Sequence, residues 1–396
     1  MTDYKIKFID EHKISDKRVL VRVDFNVSMN KNFTIADDER IQQSLPTLQN
    51  LLENNNRIIL ASHLGRPETR DSKYTLQPVA ERLETYLDGY SVRLIDDFES
   101  ESPETFENQK PNEIFLLENI RFYPKEQKND PAFAQQLANL ADVYVNEAFG
   151  SSHRAHASVV GIAELLPSYG GLLLKKELEM ITEAAGNPKK PMVAIIGGAK
   201  ISTKIHFMSK LLNMADYLLV GGGVANNFLA AQGFEIGNSL VEYEEIENAR
   251  RILFEAAQKD TAVVLPQDVI LGEPDNSKEG GDVVKVEEVP KDGTILDIGP
   301  ETTAQFGSII AKAKTIIWSG PVGYFENPVF GRGTDFIYYA IAQNKDVLSI
   351  IGGGDTLAAV SKKEYLDTIT HISTGGGAML EFIENGTLPG IEALQN

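Results

Sequence analysis

The chain has 396 residues, 42% hydrophobic and 24% charged; this is a globular composition, and the length exceeds one typical core, so we expect two domains. Its formal net charge of −19 argues against broad binding to nucleic acid or to an anionic membrane, so any anionic ligand must be held by local clusters of positive charge. It contains no cysteine, which excludes disulfides and thiolate chemistry.

The first predicted strand is residues 18–27, RVLVRVDFNV, where β-branched residues alternate with others. The N-terminus before it has no apolar signal-peptide core, and no run of roughly 18 apolar residues occurs anywhere, so we expect a cytoplasmic protein without a membrane partner. The strand ends in polar Asp24 and Asn26. Because ligands bind at the carboxyl ends of strands in open α/β sheets, both are candidate ligand residues; the alternative is that they only cap a loop.

An amphipathic helix is predicted within residues 36–55, with Asp37 and Asp38 as possible N-caps and Arg40 in the first turn. An arginine at this position opposes the helix dipole, which is mildly unfavourable. A phosphate ligand would explain it, and so would a surface ion pair.

The rest of the first half repeats a strand, a polar loop and a helix. Strands are predicted at 57–60, 91–95, 113–117 and 143–146, and helices at 78–87 and at 131–141, the latter preceded by Asp130. Loops after three of these strands contain His63 and Arg66, then Arg121, then Arg154. Ten of the 13 arginines lie in residues 1–171, and we expect those at strand ends to converge in one basic pocket that binds an anion with guanidinium groups. A purely structural histidine is the alternative for His63.

Residues 172–185 have a strongly helical pattern, and Gly-Asn-Pro at 186–188 stops it, so we expect a helix that connects two domains with a hinge at either end. The second half then centres on residues 193–205, VAIIGGAKISTKI. Its apolar run predicts a buried parallel strand, and its glycines allow close approach of a ligand to the backbone. Lys200 and Lys204 are predicted in the first turns of a helix, where both would reach one polyphosphate. The alternative is a tight turn with two solvated lysines; the pattern is not a P-loop.

Five further strands follow in the second half, and glycine runs follow three of them. The strands are predicted at 217–220, 262–265, 315–318, 347–351 and 371–374, the glycine runs at 221–223, 352–354 and 375–377, and helices from Val224 and Ala378. This alternation predicts an α/β protein with two Rossmann-like, doubly wound parallel-sheet domains joined by a helix hinge.

Taken in order, nine motifs resemble those of the phosphoglycerate kinase family over essentially the whole chain. They are RVDFNV, SHLGRP, ENIRF, AFGSSHRAHAS, GGAKISTK, VGGGVANNF, WSGPVGYFE, GGGDT and STGGGA. The resemblance implies reversible phosphoryl transfer between 1,3-bisphosphoglycerate with MgADP and 3-phosphoglycerate with MgATP in a monomer. It also implies a phosphoglycerate-binding domain at 1–171, a connecting helix at 172–188, a nucleotide-binding domain at 189–379, and a tail at 380–396 that packs back on the first domain.

The resemblance also implies roles for individual residues. The substrate-binding set is Asp24, Phe25, Asn26, Arg40, His63, Leu64, Gly65, Arg66, Arg121 and Arg154. The nucleotide-binding set is Lys204, Glu326, Gly353, Gly354, Asp355 and Thr356, with residues 221–223 flanking the adenine and Asp355 holding Mg²⁺ directly or through water. The catalytic set is Arg40, Lys200 and Gly376.

The chain departs from the family pattern at three places. Ser28 stands where the family usually has Pro, Tyr123 where many members have His, and Glu147 where many have Asp. None of the three is a charge-bearing site position, so they bear on local geometry rather than on the reaction. The alternatives are a different α/β nucleotide-dependent transferase and a non-enzymatic binding protein. We expect an open and a closed form, with the arginines of the first domain and the nucleotide loops of the second facing one cleft.

Overall fold

The structure, a computed structural model, describes residues 5–275, 280–360 and 363–395. The chain divides into two compact units. Unit 1 comprises Met1–Glu179 and Asn385–Asn396, and unit 2 comprises Met180–Glu384. Within the described residues, no helix is both long and apolar enough to cross a membrane.

Unit 1 contains a parallel sheet and a short antiparallel ribbon. Its strands are β1 (Arg18–Arg22), β2 (Ser28–Met29), β3 (Ile35–Asp37), β4 (Arg57–Ala61), β5 (Ser91–Ile95), β6 (Glu113–Leu117), β7 (Val143–Asn146) and β8 (Ser168–Gly170). The parallel sheet has the order β5-β6-β4-β1-β7-β8, and β2 pairs with β3. In register, Val19 on β1 lies opposite Ile58 on β4 and Val143 on β7. The chain order reverses between β1 and β7, so the carboxyl ends of these two strands form the switch point where open α/β sheets bind ligands.

The helices of unit 1 pack beside this sheet. They are α1 (Glu39–Glu53), α2 (Gln77–Glu84), α3 (Pro103–Glu107), α4 (Pro124–Gln127) and α5 (Pro131–Ala138). Asp130, which precedes α5, caps it, because its carboxylate accepts from the Phe133 amide. At α1, by contrast, Asp38 makes no capping bond, and its carboxylate instead accepts from Arg82, Tyr86 and Gln42.

The strand predicted over 18–27 is too long. β1 ends at Arg22, because the Asp24 carboxylate accepts from the Asn26 amide and the Phe25 amide donates to the Ser62 hydroxyl. Such a side-chain turn diverts backbone donors that a strand would use. Asp24 and Asn26 therefore lie in the loop just beyond the strand end.

The connecting helix α6 (Leu172–Gly186) begins in unit 1 and ends in unit 2, so a helix is present where the pattern over 172–185 predicts one. Its apolar side chains, including Leu174, Leu178 and Ile181, are buried. The bounds of the units fall inside this helix, between Glu179 and Met180.

Unit 2 contains a second parallel sheet and a three-stranded antiparallel sheet. Its strands are β9 (Met192–Ile196), β10 (Tyr217–Val220), β11 (Ala262–Val264), β12 (Asp268–Leu271), β13 (Asp282–Lys285), β14 (Ile295–Ile298), β15 (Thr315–Ser319), β16 (Leu348–Gly352) and β17 (His371–Ser373). The parallel sheet has the order β11-β10-β9-β15-β16-β17, which is the 3-2-1-4-5-6 order of a Rossmann sheet. Its switch point lies between β9 and β15. The two doubly wound parallel sheets confirm the predicted fold class, whereas the antiparallel sheet β13-β12-β14 was not predicted.

The helices of unit 2 follow its strands. They are α7 (Ile205–Leu211), α8 (Gly222–Ala231), α9 (Ile246–Gln258), α10 (Pro300–Ile310), α11 (Arg332–Gln343), α12 (Gly354–Ala359) and α13 (Gly376–Asn385). The last helix, α14 (Pro389–Glu392), belongs to unit 1, where the Gly390 amide donates to the Ser152 carbonyl at 2.8 Å.

The predicted helix over Lys200 and Lys204 is wrong. α7 begins only at Ile205, and residues 201–204 form a turn in which the Lys204 amide donates to the Ile201 carbonyl. The Ser202 amide and hydroxyl both donate to the Glu242 carboxylate at 2.9 and 2.7 Å, and these bonds hold the segment out of a helix.

Candidate active site

In unit 1, a carboxylate and two basic side chains meet beyond the end of β1. Arg40 Nη1 lies 3.0 Å from Asp24 Oδ2, and His63 Nδ1 lies 4.0 Å from Asp24 Oδ1. The Arg40 side chain remains 30% exposed although it is paired. The ion pair with Asp24 is therefore one reason for an arginine in the first turn of α1. Part of the Arg40 side chain stays accessible to a ligand.

The centre of this cluster is Arg22, which the sequence analysis missed. Arg22 is 1% exposed; its Nε donates to Ser158 Oγ at 2.8 Å, and its Nη2 lies 3.2 Å from His63 Nδ1. Ser158 in turn donates to the fully buried carboxylate of Glu126 at 2.6 Å. The signal in the sequence was a charged residue inside an otherwise apolar strand, since such a residue is buried only with partners.

The charges around Asp24 fix its ionisation. Burial opposes the charged form, but the guanidinium groups of Arg40 and Arg22 hold the pKa of Asp24 well below its usual range. Burial, together with the nearby arginines, holds the pKa of His63 well below its usual value despite the opposing charge of Asp24. His63 is therefore neutral at pH 7, and Arg22 donates to its Nδ1, so Nε2 carries the proton and is a hydrogen-bond donor.

Arg121 and its neighbours form the second part of this basic cluster. Arg121 is 8% exposed and its Nη1 donates to the Gly65 carbonyl, while the Gly65 amide donates to Asn26 Oδ1 at 2.8 Å. Burial and the charges of Arg22 and Arg154 lower the pKa of Arg121 to about 10, so it stays protonated at neutral pH. Arg22 and Arg40 interact with Asp24, and Arg22 and Arg154 interact with Arg121. These four arginines give a local positive charge in a protein of net charge −19.

Two histidines next to Arg154 are also neutral. Arg154 Nε donates to His153 Nε2 at 3.1 Å. Burial, with the charge of Arg154 adding to it, lowers the pKa of His153, and burial together with the arginines lowers the pKa of His156 to about 3. The uncharged histidines leave the arginines as the cations of this cluster.

Three predicted residues of unit 1 differ from the others in placement. Arg66 is exposed, and its guanidinium has no hydrogen-bond or carboxylate partner among the residues that the structure describes. Phe25 is fully buried and Leu64 is 3% exposed, so their side chains belong to the core. The structure thus joins Asp24, Arg40 and His63 in one cluster, and Asn26, Gly65 and Arg121 beside it, but not Arg66.

In unit 2, glycines at the switch point surround the Lys204 ammonium. Lys204 Nζ donates to the Gly197 carbonyl at 2.5 Å and to the Ser319 carbonyl at 3.1 Å. Gly197 directly follows β9, and Ser319 is the last residue of β15. A Cβ atom on Gly320 would overlap this ammonium, and one on Gly198 would lie 3.1 Å from it. Burial lowers the pKa of Lys204 to about 8, with only partial opposition from Asp355.

Lys200 has a different environment from Lys204. Lys200 is exposed, and its ammonium has no ion-pair partner within 4.0 Å among the described residues. The two lysines of the same motif therefore differ: one is fixed by carbonyl groups, and the other projects from the turn into solvent.

A cavity of about 420 Å³ opens beside these glycines within unit 2. Apolar side chains, among them Leu240, Val269 and Leu296, line it together with Gly222 and Gly223 of α8. The exposed carboxylates of Glu326 and Asp355 also line it. A mostly apolar cavity with a few polar groups suits a flat aromatic group attached to a polar chain.

The loop after β16 lies next to the loop after β17. Gly353 has φ +110°, a conformation that favours glycine, and a Cβ on Gly376 would lie 3.3 Å from Gly353 Cα. Thr356 Oγ1 links two loops, since it donates to the Gly352 carbonyl at 2.9 Å and accepts from the Gly320 amide at 2.7 Å. The structure thus brings four predicted nucleotide-binding residues to the sheet edge that also carries Lys204: Gly353, Gly354, Asp355 and Thr356.

Asp355 is the predicted metal-binding residue. Its carboxylate is exposed and makes no ion pair within 4.0 Å among the described residues. The described part of the chain holds no group of three or more His, Asp or Glu that would bind a metal by itself. This arrangement suits Mg²⁺, which proteins often hold through one or two carboxylates while ligand phosphates and water complete the shell.

Comparison with known proteins shows similarity along almost the entire chain. Residues 9–386 match the family model described as phosphoglycerate kinase. A phosphoglycerate kinase of Dictyoglomus turgidum is 46% identical over 387 residues, covering 98% of this chain and 97% of that protein. A cytosolic phosphoglycerate kinase of Nicotiana tabacum is 44% identical over 392 residues, covering 98% of each chain. The solved structure of phosphoglycerate kinase from Coxiella burnetii superposes with a TM-score of 0.85 at 40% identity, covering 98% of each chain.

Proposed function

Since the chain belongs to the phosphoglycerate kinase family and catalyses its glycolytic phosphoryl transfer, we propose which residues bind each substrate and which stabilise the transferred group. The reaction moves a phosphoryl group between the carboxylate of 3-phosphoglycerate and ADP. The proposal rests chiefly on one observation: three arginines, Arg22, Arg40 and Arg121, interact with a single carboxylate, Asp24, beyond the end of β1, and a fourth, Arg154, acts on Arg121.

Unit 1 binds the phosphoglycerate in this proposal. Arg121 and Arg154 hold its phosphate, because guanidinium groups match phosphate oxygens in bidentate geometry, and the exposed Arg66 adds a third cation. The neutral His63 donates from Nε2, and Asp24 and Asn26 orient the sugar-acid backbone. Phe25, Leu64 and Gly65 contribute through the backbone, since the side chains of the first two lie in the core.

Unit 2 binds the nucleotide. The adenine enters the 420 Å³ cavity beside residues 221–223, and Glu326 accepts a hydrogen bond from a ribose hydroxyl. Lys204 and the loop of Gly353, Gly354 and Thr356 bind the phosphates, because backbone amides next to glycine approach an anion closely. Asp355 holds Mg²⁺, which would neutralise charge on the phosphates when it is bound.

The chemistry of the transfer requires cations rather than a base. The carboxylate of 3-phosphoglycerate is already ionised when it attacks the γ-phosphorus of ATP, and the bond from that phosphorus to the β-phosphate oxygen breaks. Arg40, Lys200 and the backbone of Gly376 stabilise the negative charge on the transferred group. The exposed portions of Arg40 and Lys200 suit this role, since neither side chain is enclosed before substrate binds.

We further propose the organisation of the enzyme around this reaction. Residues 1–171 with the tail 380–396 act as the phosphoglycerate domain, 189–379 as the nucleotide domain, and 172–188 as the connection. Closure of the two domains excludes water that would hydrolyse the acyl phosphate. The protein acts as a cytoplasmic monomer on small-molecule substrates, without a nucleic-acid partner.

The test is turnover of 3-phosphoglycerate and MgATP in a coupled assay with Arg40→Ala. We expect kcat to fall at least ~10²-fold while the KM for ATP changes little, because Arg40 acts on the transferred group. Arg93→Ala is the matched control: Arg93 lies on the outer strand β5 with its guanidinium over the Phe115 ring of β6, so the variant should retain wild-type kcat. Unchanged turnover of Arg40→Ala would exclude the role given to Arg40, and no turnover by the wild type would reject the substrates.

A further inference from the structure

The start of α6 is capped by residues far from it in sequence. The Leu172 amide donates to Thr47 Oγ1 at 2.8 Å, and the Leu173 and Leu174 amides donate to the two carboxylate oxygens of Glu147 at 3.0 and 3.2 Å. These are the amides that a helix leaves without partners inside itself. The residue before the helix, Gly171, has no side chain to cap it. Both capping groups therefore come from other elements of unit 1.

Glu147 is enclosed at this point. It is 1% exposed, the Thr47 hydroxyl also donates to it, and it has no basic partner within 4.0 Å among the described residues. A Cβ atom at position 171 would overlap its carboxylate, so only glycine leaves room for it. A buried carboxylate without a cation is costly, and burial raises the pKa of Glu147 to about 7 although its three hydrogen-bond donors oppose this. If stability were the only requirement, a serine at position 171 would cap the helix without burying a carboxylate.

The two capping residues lie on segments that carry the proposed phosphoglycerate site. Thr47 follows Arg40 on α1 by seven residues, about two helical turns, so both side chains lie on one face of that helix. Glu147 follows β7 directly and begins the loop that contains Arg154 and Ser151, whose hydroxyl donates to Asp24 Oδ2 at 3.3 Å. The start of the connecting helix is thus bonded to both segments.

We propose that Thr47 and Glu147 are positioning residues for phosphoryl transfer, which tie the start of α6 to Arg40 and to the loop of Arg154. A movement of the connecting helix then carries the phosphoglycerate site with it as one body. This inference rests on the proposed function, in which closure of two domains brings the substrates together. It gives a reason for a glutamate at position 147, since the carboxylate must reach three donors on two elements.

The test uses the full-length protein with Thr47→Val, Thr47→Ser and Glu147→Gln. Thr47→Val keeps the shape but loses both bonds of the hydroxyl; Thr47→Ser keeps them; Glu147→Gln places an NH₂ group against an amide donor. We expect kcat to fall about tenfold in the Val and Gln variants, with both KM values within about twofold of wild type, and the Ser variant to behave as wild type. The decrease in radius of gyration with both substrates, measured by small-angle scattering, should shrink in the same two variants.

Asp130→Ala is the matched control, because the Asp130 carboxylate caps a different helix of unit 1, α5, and alanine removes that cap. Wild-type kcat and contraction in Thr47→Val would overturn the inference, and so would an equal loss in Asp130→Ala. Thr47→Val decides the matter if Glu147→Gln does not fold, as judged by circular dichroism at the assay temperature. A wild-type protein that turns over without contracting would instead reject domain closure, so the two failures are distinguishable.

Discussion

Units 1 and 2 place different groups at the switch points of similar sheets. In unit 1 the groups at the switch point are side chains: Arg22, Arg40 and Arg121, with Asp24 between them. In unit 2 they are closely packed glycine loops around one half-buried ammonium, Lys204, which donates to two backbone carbonyls. Both arrangements lie where the order of parallel strands reverses, so the topology selects the place and the loop sequence selects the chemistry.

Because of this difference, we expect substitutions to disturb the two regions in different ways. A guanidinium cluster needs partial neutralisation and burial, so it depends on which charges stand together and tolerates small changes of backbone shape. A glycine loop depends on space at the backbone and tolerates changes of charge nearby better than an added methyl group. Variants of unit 2 should therefore show larger steric effects, and variants of unit 1 larger electrostatic ones.

The largest effect in this comparison is expected for Gly320→Ala. Gly320 has φ +92°, and an added Cβ would overlap the Gly197 carbonyl oxygen and the Lys204 ammonium. We expect stability to fall by about 3 kcal/mol or more and the KM for ATP to rise at least about tenfold. Gly233→Ala is the control, since Gly233 has φ +90° but nothing within 4 Å of the added atom, and it should cost only about 1–2 kcal/mol. Equal losses in urea unfolding would show that backbone strain alone, and not crowding, explains Gly320.

A smaller effect is expected for Lys204→Met, and it should separate the two lysines. Losing a charged donor costs about 1.5–3 kcal/mol, so the Kd for ATP should rise roughly 10- to 100-fold, whereas Lys200→Met should mainly lower kcat. The measurement is calorimetric titration beside steady-state kinetics. If both variants lost nucleotide affinity equally, the separate roles would be wrong.

Lys204 should also leave a signature in the pH dependence of stability. Its pKa is about 8 in the folded protein and 10.5 as the ordinary value. The unfolded chain therefore holds more protons between these values, so this residue makes stability rise with pH from about 8 to 10.5. The free energy of unfolding in urea should lack that rise in Lys204→Met, and an identical pH dependence in both proteins would contradict the lowered pKa of Lys204.

The smallest effect is proton uptake when 3-phosphoglycerate binds. His63, His153 and His156 have lowered pKa values because of burial and nearby arginines. An anion that offsets the arginines raises those pKa values, so we expect uptake of a fraction of a proton at pH 6 and less at pH 8. Titration calorimetry in two buffers of different ionisation enthalpy measures this, and a binding enthalpy independent of the buffer at pH 6 would contradict it.

Much of the fold followed from local patterns. Strands 91–95, 113–117, 143–146 and 217–220 were predicted with the bounds that the structure has, because short β-rich runs between turn residues carry their own signal. The antiparallel sheet of β12, β13 and β14 was missed, as were α9, α10 and α11. The helix over Lys200 was wrong because Glu242, about forty residues away, accepts the bonds of Ser202.

The residues at the candidate site divide in the same way. Asp24, Arg40, His63 and Arg121 were identified because each follows a strand or begins a helix. Arg22 was missed because its importance comes from burial against Ser158, 136 residues later. Thr47 was missed for the same reason, since its partner Glu147 is 100 residues away.

The sequence alone determined the alternation of strands and helices, the glycine runs after strands, and the arginines in the loops of the first half. These features depend on side-chain periodicity and backbone freedom, which act over a few residues. The tertiary structure decided which charges stand together, which lysine is held by backbone carbonyls, and what caps the connecting helix. Those outcomes depend on packing between segments that are distant in the chain, where burial and the loss of water set the energy of each group.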